Sequence, residues 1–133
     1  PIINYVQQHF PQITIVISRS NFEDCSMQHY ILDQHTIFET NKWGIPEPIS
    51  GVQVDSSAID MIIVPLLIFD LLGHRVGYGK GFYDRFFSAC KADVQRIGLS
   101  FFDPIDVILD KNEYDVRLTK AITPNRIYHF DAE

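Results

Sequence analysis

Apolar residues recur along this chain in two periods. Ile2, Ile3, Val6 and Phe10 fall at helical spacing and predict a first helix that ends before Pro11, since a residue preceding proline is pushed out of helical geometry. Residues 13–17, Ile-Thr-Ile-Val-Ile, are a β-branched run typical of a buried strand, and residues 29–32 predict a shorter one. Residues 41–48, with Gly44, Pro46 and Pro48, predict a loop. Residues 59–64 predict the clearest buried strand, ended by Pro65. Phe82, Phe86, Phe87 and Cys90 then lay one apolar stripe along a helix reaching about Ala92. Strands at 96–100 and 127–130 follow. Runs that are apolar on both faces and separated by helical segments predict an α/β fold with a largely parallel sheet covered by helices.

With 46% hydrophobic and 13% aromatic content, 133 residues suffice for one packed domain, residues 1–133, without a linker or repeat to divide it. The first helix has no capping residue and the chain has no initiator Met, so it reads as a domain cut at its N-terminus. Neither a membrane-spanning run nor a leader is evident, which makes a cytoplasmic location the default. Cys25 and Cys90 lie far apart without a ligand cluster, and the five histidines lack metal-binding spacing.

The net charge of −6 argues against a general affinity for nucleic acid and makes a local basic cluster informative. That cluster is the segment 73–85, Gly-His-Arg-Val-Gly-Tyr-Gly-Lys-Gly-Phe-Tyr-Asp-Arg. Gly77, Gly79 and Gly81 remove Cβ atoms where backbone must turn and bring N–H groups to a ligand. Arg75 and Lys80 add full positive charge, and the helix beginning just after adds the partial charge of its N-terminus. This combination suits a phosphate group. It is neither a Walker A loop, which would need glycine at His74 and Ser or Thr after Lys80, nor a dinucleotide fingerprint, which would need glycine at Phe82. A glycine-rich turn with incidental basic residues is the bland alternative.

Five stretches in order, Lys42-Trp-Gly-Ile-Pro-Glu-Pro48, residues 60–65, Phe69-Asp70, residues 73–85 and Glu113-Tyr-Asp115, resemble the 5-formyltetrahydrofolate cyclo-ligase family. The resemblance implies a three-layer α/β/α fold and the ATP- and magnesium-dependent conversion of 5-formyltetrahydrofolate to 5,10-methenyltetrahydrofolate, with release of ADP and phosphate. It makes Arg75, Gly77, Tyr78, Gly79, Lys80 and Gly81 the triphosphate cradle, with Arg75 and Lys80 acting in catalysis. It places magnesium near Asp84 and Asp115, and the reduced folate against Trp43, Phe82 and Tyr83. The implied partners are these small molecules, with no nucleic acid, membrane or protein among them.

Each implied role has a plainer counterpart. Asp84 is also a carboxylate suited to a helix N-terminus, Asp115 a solvated loop acid and Phe82 a core residue of the apolar stripe, while Glu47 stays open between structure and substrate. Members of the family carry a basic N-terminal helical segment and a first strand that these residues lack. Ser18, Leu66 and Pro104 stand where proline, glycine and glutamine are usual. A catalytically silent nucleotide-binding module is therefore the alternative.

Overall fold

The computed structural model describes residues 1–77, 81–109 and 116–130, which fall into two compact units, Pro1–Asp55 and Ser56–Glu133. In the first unit, helix α1 (Ile2–His9) closes with Phe10 N–H donating to the Val6 carbonyl at 2.8 Å, one residue before Pro11. Strands β1 (Val16–Asn21) and β2 (Ser26–Ile31) form an antiparallel hairpin, and β5 (Gln53–Val54) adds to β2. Strand β1 starts later than the apolar run predicts and continues through Ser18, Arg19, Ser20 and Asn21. Its six-residue register with β2 carries these polar residues, and the turn is set by Asn21 Oδ1 and Asp24 Oδ1, which accept the amides of Glu23 and Ser26.

The loop expected over 41–48 is in part a strand. Strand β3 (Ile37–Thr40) pairs antiparallel with β4 (Pro46–Ser50), so Pro46 and Pro48 lie within a sheet. The ladder has only these two strands, and prolines lacking an N–H donor are tolerated at such edges. The turn itself is held by Asn41 Oδ1, which accepts the amides of Trp43 and Ile45, and by Gly44 at φ +77°.

The second unit opens with a 3-10 turn (Ser56–Ala58), followed by β6 (Met61–Val64), β7 (Ile68–Phe69), β8 (Arg75–Val76), helix α2 (Phe82–Ala89), β9 (Gln95–Leu99), β10 (Lys120–Ile122) and β11 (Ile127–His129). Its sheet has the order β11-β10-β9-β6, with β6, β9 and β10 parallel and β11 antiparallel. The fold is mixed α/β, and among the described strands parallel pairing joins these three, with one isolated parallel bridge between Asp70 and Ile105. Strand β6 buries Ile62 and Val64 and exposes Met61 and Ile63, so it alternates where its composition suggested burial on both faces.

Val64, Phe69, Val94, Leu118 and Ala121 are the most deeply buried apolar residues. Phe69 meets the edges of Tyr128 and Phe130 at 5.5 and 6.4 Å. Two glycines are required by packing against this core. A Cβ at Gly98 would lie 2.6 Å from Leu66 Cδ2, and one at Gly73, where φ is +92°, would lie 2.8 Å from Phe130 Cγ. Helix α2 buries Phe86 and Phe87, as its stripe predicts, but stops at Ala89, with the Cys90 amide bonded back to Phe87.

Candidate functional site

A short hairpin and a helix N-terminus bring the described part of the glycine-rich segment together. Strand β7 turns through residues 70–74 into β8, which begins with Arg75. Gly81 precedes α2 in the left-handed conformation, φ +72°, with open space around its Cβ position, so backbone conformation alone accounts for glycine there. Asp84 stands in the first turn of α2, where negative charge is favourable.

The side chain of Arg75 is largely covered and reaches this turn, its Nη2 3.2 Å from Asp84 Oδ1. The same carboxylate oxygen accepts the Val116 amide at 3.2 Å. The guanidinium passes over Phe87 at 5.3 Å and Tyr83 at 5.9 Å. Gly77 lies beneath it, since a Cβ there would come within 2.8 Å of Arg75 Nη1. Burial pushes the Tyr83 hydroxyl pKa up, against the opposing effect of Arg75, so the phenol stays a neutral donor.

Arg75 Nε is buried without a hydrogen-bond partner among the described residues. A buried charged donor left unpaired is costly, and an anion would satisfy it. Asp84 Oδ1 holds both the Arg75 guanidinium and the Val116 amide. These features fit a phosphate group accompanied by magnesium, which takes one or two carboxylates and fills its other positions with phosphate oxygens and water. No cluster of three metal-ligating side chains occurs among the described residues.

The sequence-derived residues fall into three groups. Arg75, Gly77, Gly81, Phe82, Tyr83 and Asp84 occupy one short stretch around the start of α2. Tyr78, Gly79, Lys80 and Asp115 lie outside the described residues. Trp43 belongs to the first unit, exposed at the β3–β4 turn, its ring 4.4 Å from Phe22 and under the Lys42 ammonium at 4.5 Å. Glu47 is engaged structurally, with Oε1 accepting from Asn41 Nδ2 at 3.0 Å and Oε2 from the Ser20 amide at 3.1 Å.

Sequence reasoning gave no role to Asp70, His74 or Arg117, which surround the turn before Arg75. Arg117 Nε donates to the Leu72 carbonyl at 2.7 Å, and the Leu118 amide donates to that of Gly73 at 2.8 Å. An Asp three residues before a glycine is a turn signal that could have pointed here.

Residues 9–124 match the 5-formyltetrahydrofolate cyclo-ligase family, and the chain belongs to that family. It is 27% identical over 120 residues to a probable 5-formyltetrahydrofolate cyclo-ligase of Schizosaccharomyces pombe, covering 74% of this chain and 58% of the relative. It is 31% identical over 93 residues to the 5-formyltetrahydrofolate cyclo-ligase of Escherichia coli K12, covering 68% and 51%. The chain thus spans about half the length of the relatives it matches. The NMR structure of Aquifex aeolicus 5,10-methenyltetrahydrofolate synthetase superposes with a TM-score of 0.78 over 100% of this chain and 65% of that one. At 23% identity this likeness establishes the fold.

Proposed function

We propose that this chain carries out, or forms the nucleotide-binding portion of a protein that carries out, the ATP-dependent closure of 5-formyltetrahydrofolate to 5,10-methenyltetrahydrofolate. The observation that carries the proposal is Arg75, its side chain largely covered over Gly77, paired with Asp84 at the start of α2 and holding an Nε unpartnered among the described residues. Such a donor set suits the phosphates of ATP.

The formyl oxygen is a poor leaving group. In the proposed reaction it attacks the γ-phosphorus of ATP, forming a new oxygen–phosphorus bond as the bond to the ADP oxygen breaks. The neighbouring folate nitrogen then adds to the formyl carbon and loses its proton, and phosphate departs with the former formyl oxygen. Phosphoryl transfer depends chiefly on positioning and charge stabilisation, so no protein nucleophile is required. Arg75 and Lys80 hold and neutralise the transferred group, aided by glycine-loop amides at Gly77, Tyr78, Gly79 and Gly81. Asp84 and Asp115 hold magnesium, which supplies further neutralisation of phosphate charge when bound. Phe82 and Tyr83 offer flat apolar surface to the folate rings.

The test is ATP- and magnesium-dependent appearance of the near-ultraviolet absorbance of the methenyl product from purified chain. Product formation supports the full reaction. ATP binding without product would leave a nucleotide-binding module, and neither binding nor product would refute the proposed site.

A further inference from the structure

Asp70 is fully buried, yet it is a carboxylate at the end of β7 with no place in the proposed reaction. Burial raises its pKa, but this is outweighed by backbone amides from Ile108, His74 and Leu72 and by the nearby His74 ring, leaving the carboxyl below its usual value and ionised. Oδ1 accepts the amides of Leu72 and His74, both at 2.9 Å, and Oδ2 accepts that of Ile108 at 3.0 Å. His74 Nδ1, otherwise without a hydrogen-bond partner among the described residues, lies 3.3 Å from Oδ2. The main chain closes the same turn, with the Asp70 amide donating to the His74 carbonyl at 2.9 Å and the Gly73 amide to the Asp70 carbonyl at 3.2 Å.

The residue that leaves this turn is Arg75. One carboxylate thus sets the backbone from 70 to 74, and that backbone sets where the guanidinium emerges toward Asp84 and Gly77. We infer that Asp70 is a positioning residue for the phosphate site, acting through Arg75 by means of its Oδ1 contacts. Its Oδ2 contact with Ile108 serves stability. This inference rests on Arg75 being a phosphate ligand.

The two oxygens can be separated. Asp70→Ala removes every acceptor. Asp70→Asn restores a carbonyl oxygen for the Leu72 and His74 amides but presents an amide nitrogen toward the Ile108 N–H, leaving that donor unpaired. ATP binding with magnesium, measured by calorimetry on the whole chain, should weaken at least about fivefold in Asp70→Ala. In Asp70→Asn it should return to within about twofold of the parent, while the urea midpoint stays below the parent's. In an Arg75→Ala background, Asp70→Ala should add less than about twofold, because both changes act through the same group. Equal impairment of the Ala and Asn variants, or an undiminished effect of Asp70→Ala without Arg75, would overturn the inference. If Asp70→Ala does not fold, Asp70→Ser, with a weaker acceptor, takes its place.

The NMR signal of the Arg75 Nε–H gives a readout without nucleotide. It should shift in Asp70→Ala and return in Asp70→Asn, and an unmoved signal would overturn the positioning role. Absence of ATP binding by the parent, with this shift still present in Asp70→Ala, would instead refute the reading of Arg75 as a phosphate ligand.

Discussion

Gly73→Ala should be among the most damaging single substitutions in the second unit, and its cost can be worked from geometry. The residue sits at φ +92°, a conformation that costs an alanine about 1–3 kcal/mol. The added Cβ would stand 2.8 and 3.0 Å from the Phe130 ring and 3.1 Å from the Leu118 carbonyl oxygen. Phe130 packs against Phe69 at 6.4 Å, and the Leu118 amide donates a hydrogen bond to the Gly73 carbonyl, so neither neighbour retreats freely. Overpacking of this kind costs about 1–3 kcal/mol, and the smaller unfolded-state entropy of alanine returns about 0.4–1 kcal/mol. The net loss is about 1–6 kcal/mol. Gly81→Ala is the control, since φ is +72° there but nothing lies within 4 Å of its Cβ position, so only the conformational part applies. Trp43, the sole tryptophan, reports on the first unit, so urea unfolding should be followed by amide exchange at Val64 and Leu118. A Gly73→Ala loss no larger than that of Gly81→Ala would refute the packing argument.

Three further outcomes are expected. Lys80→Ala should lower turnover at least about tenfold, or ~1.4 kcal/mol, with the fold retained, and unchanged turnover would remove Lys80 from the reaction. Asp84→Asn should raise the magnesium concentration needed for ATP binding, and a titration superposable on the parent's would exclude Asp84 as a metal ligand. Buried His29, 2.7 Å from Ser18 Oγ, has its pKa lowered from 6.5 by desolvation, against a smaller raising effect of Asp55. Because the unfolded chain then binds the proton more readily, stability of the first unit should fall as pH drops below about 6.5 toward the folded pKa. His29→Asn should flatten that slope in urea unfolding followed by Trp43 fluorescence, and an identical slope would show that another group titrates.

Much of the fold was legible where one physical signal dominates. Helix α1 ends where Pro11 requires, β6 and β9 follow β-branched or apolar runs, and α2 starts after Gly81 with the predicted stripe inward. The expectations that needed changing were those in which pairing overrides composition. The polar end of β1 and the proline-bearing β4 are strands because β2 and β3 lie beside them. The two-residue strands β5, β7 and β8 are too short to carry a periodic signal. Near the start of α2, the glycines and basic charge drew attention to Arg75, which lies in β8, and the family resemblance to Asp84, which stands in the first turn of the helix. Asp70 was marked only as a turn residue by its spacing to Gly73, because its contacts are backbone amides from Leu72, His74 and Ile108, the last of which is brought in from far along the chain.

The central claim is that this chain binds ATP at the Arg75 segment and uses it to activate the formyl oxygen. It is tested most directly by supplying 5-formyltetrahydrofolate labelled with heavy oxygen in its formyl group, together with ATP and magnesium. The account predicts the methenyl product and an equal amount of inorganic phosphate carrying the label. Methenyl product accompanied by unlabelled phosphate, or phosphate released without product, would contradict it.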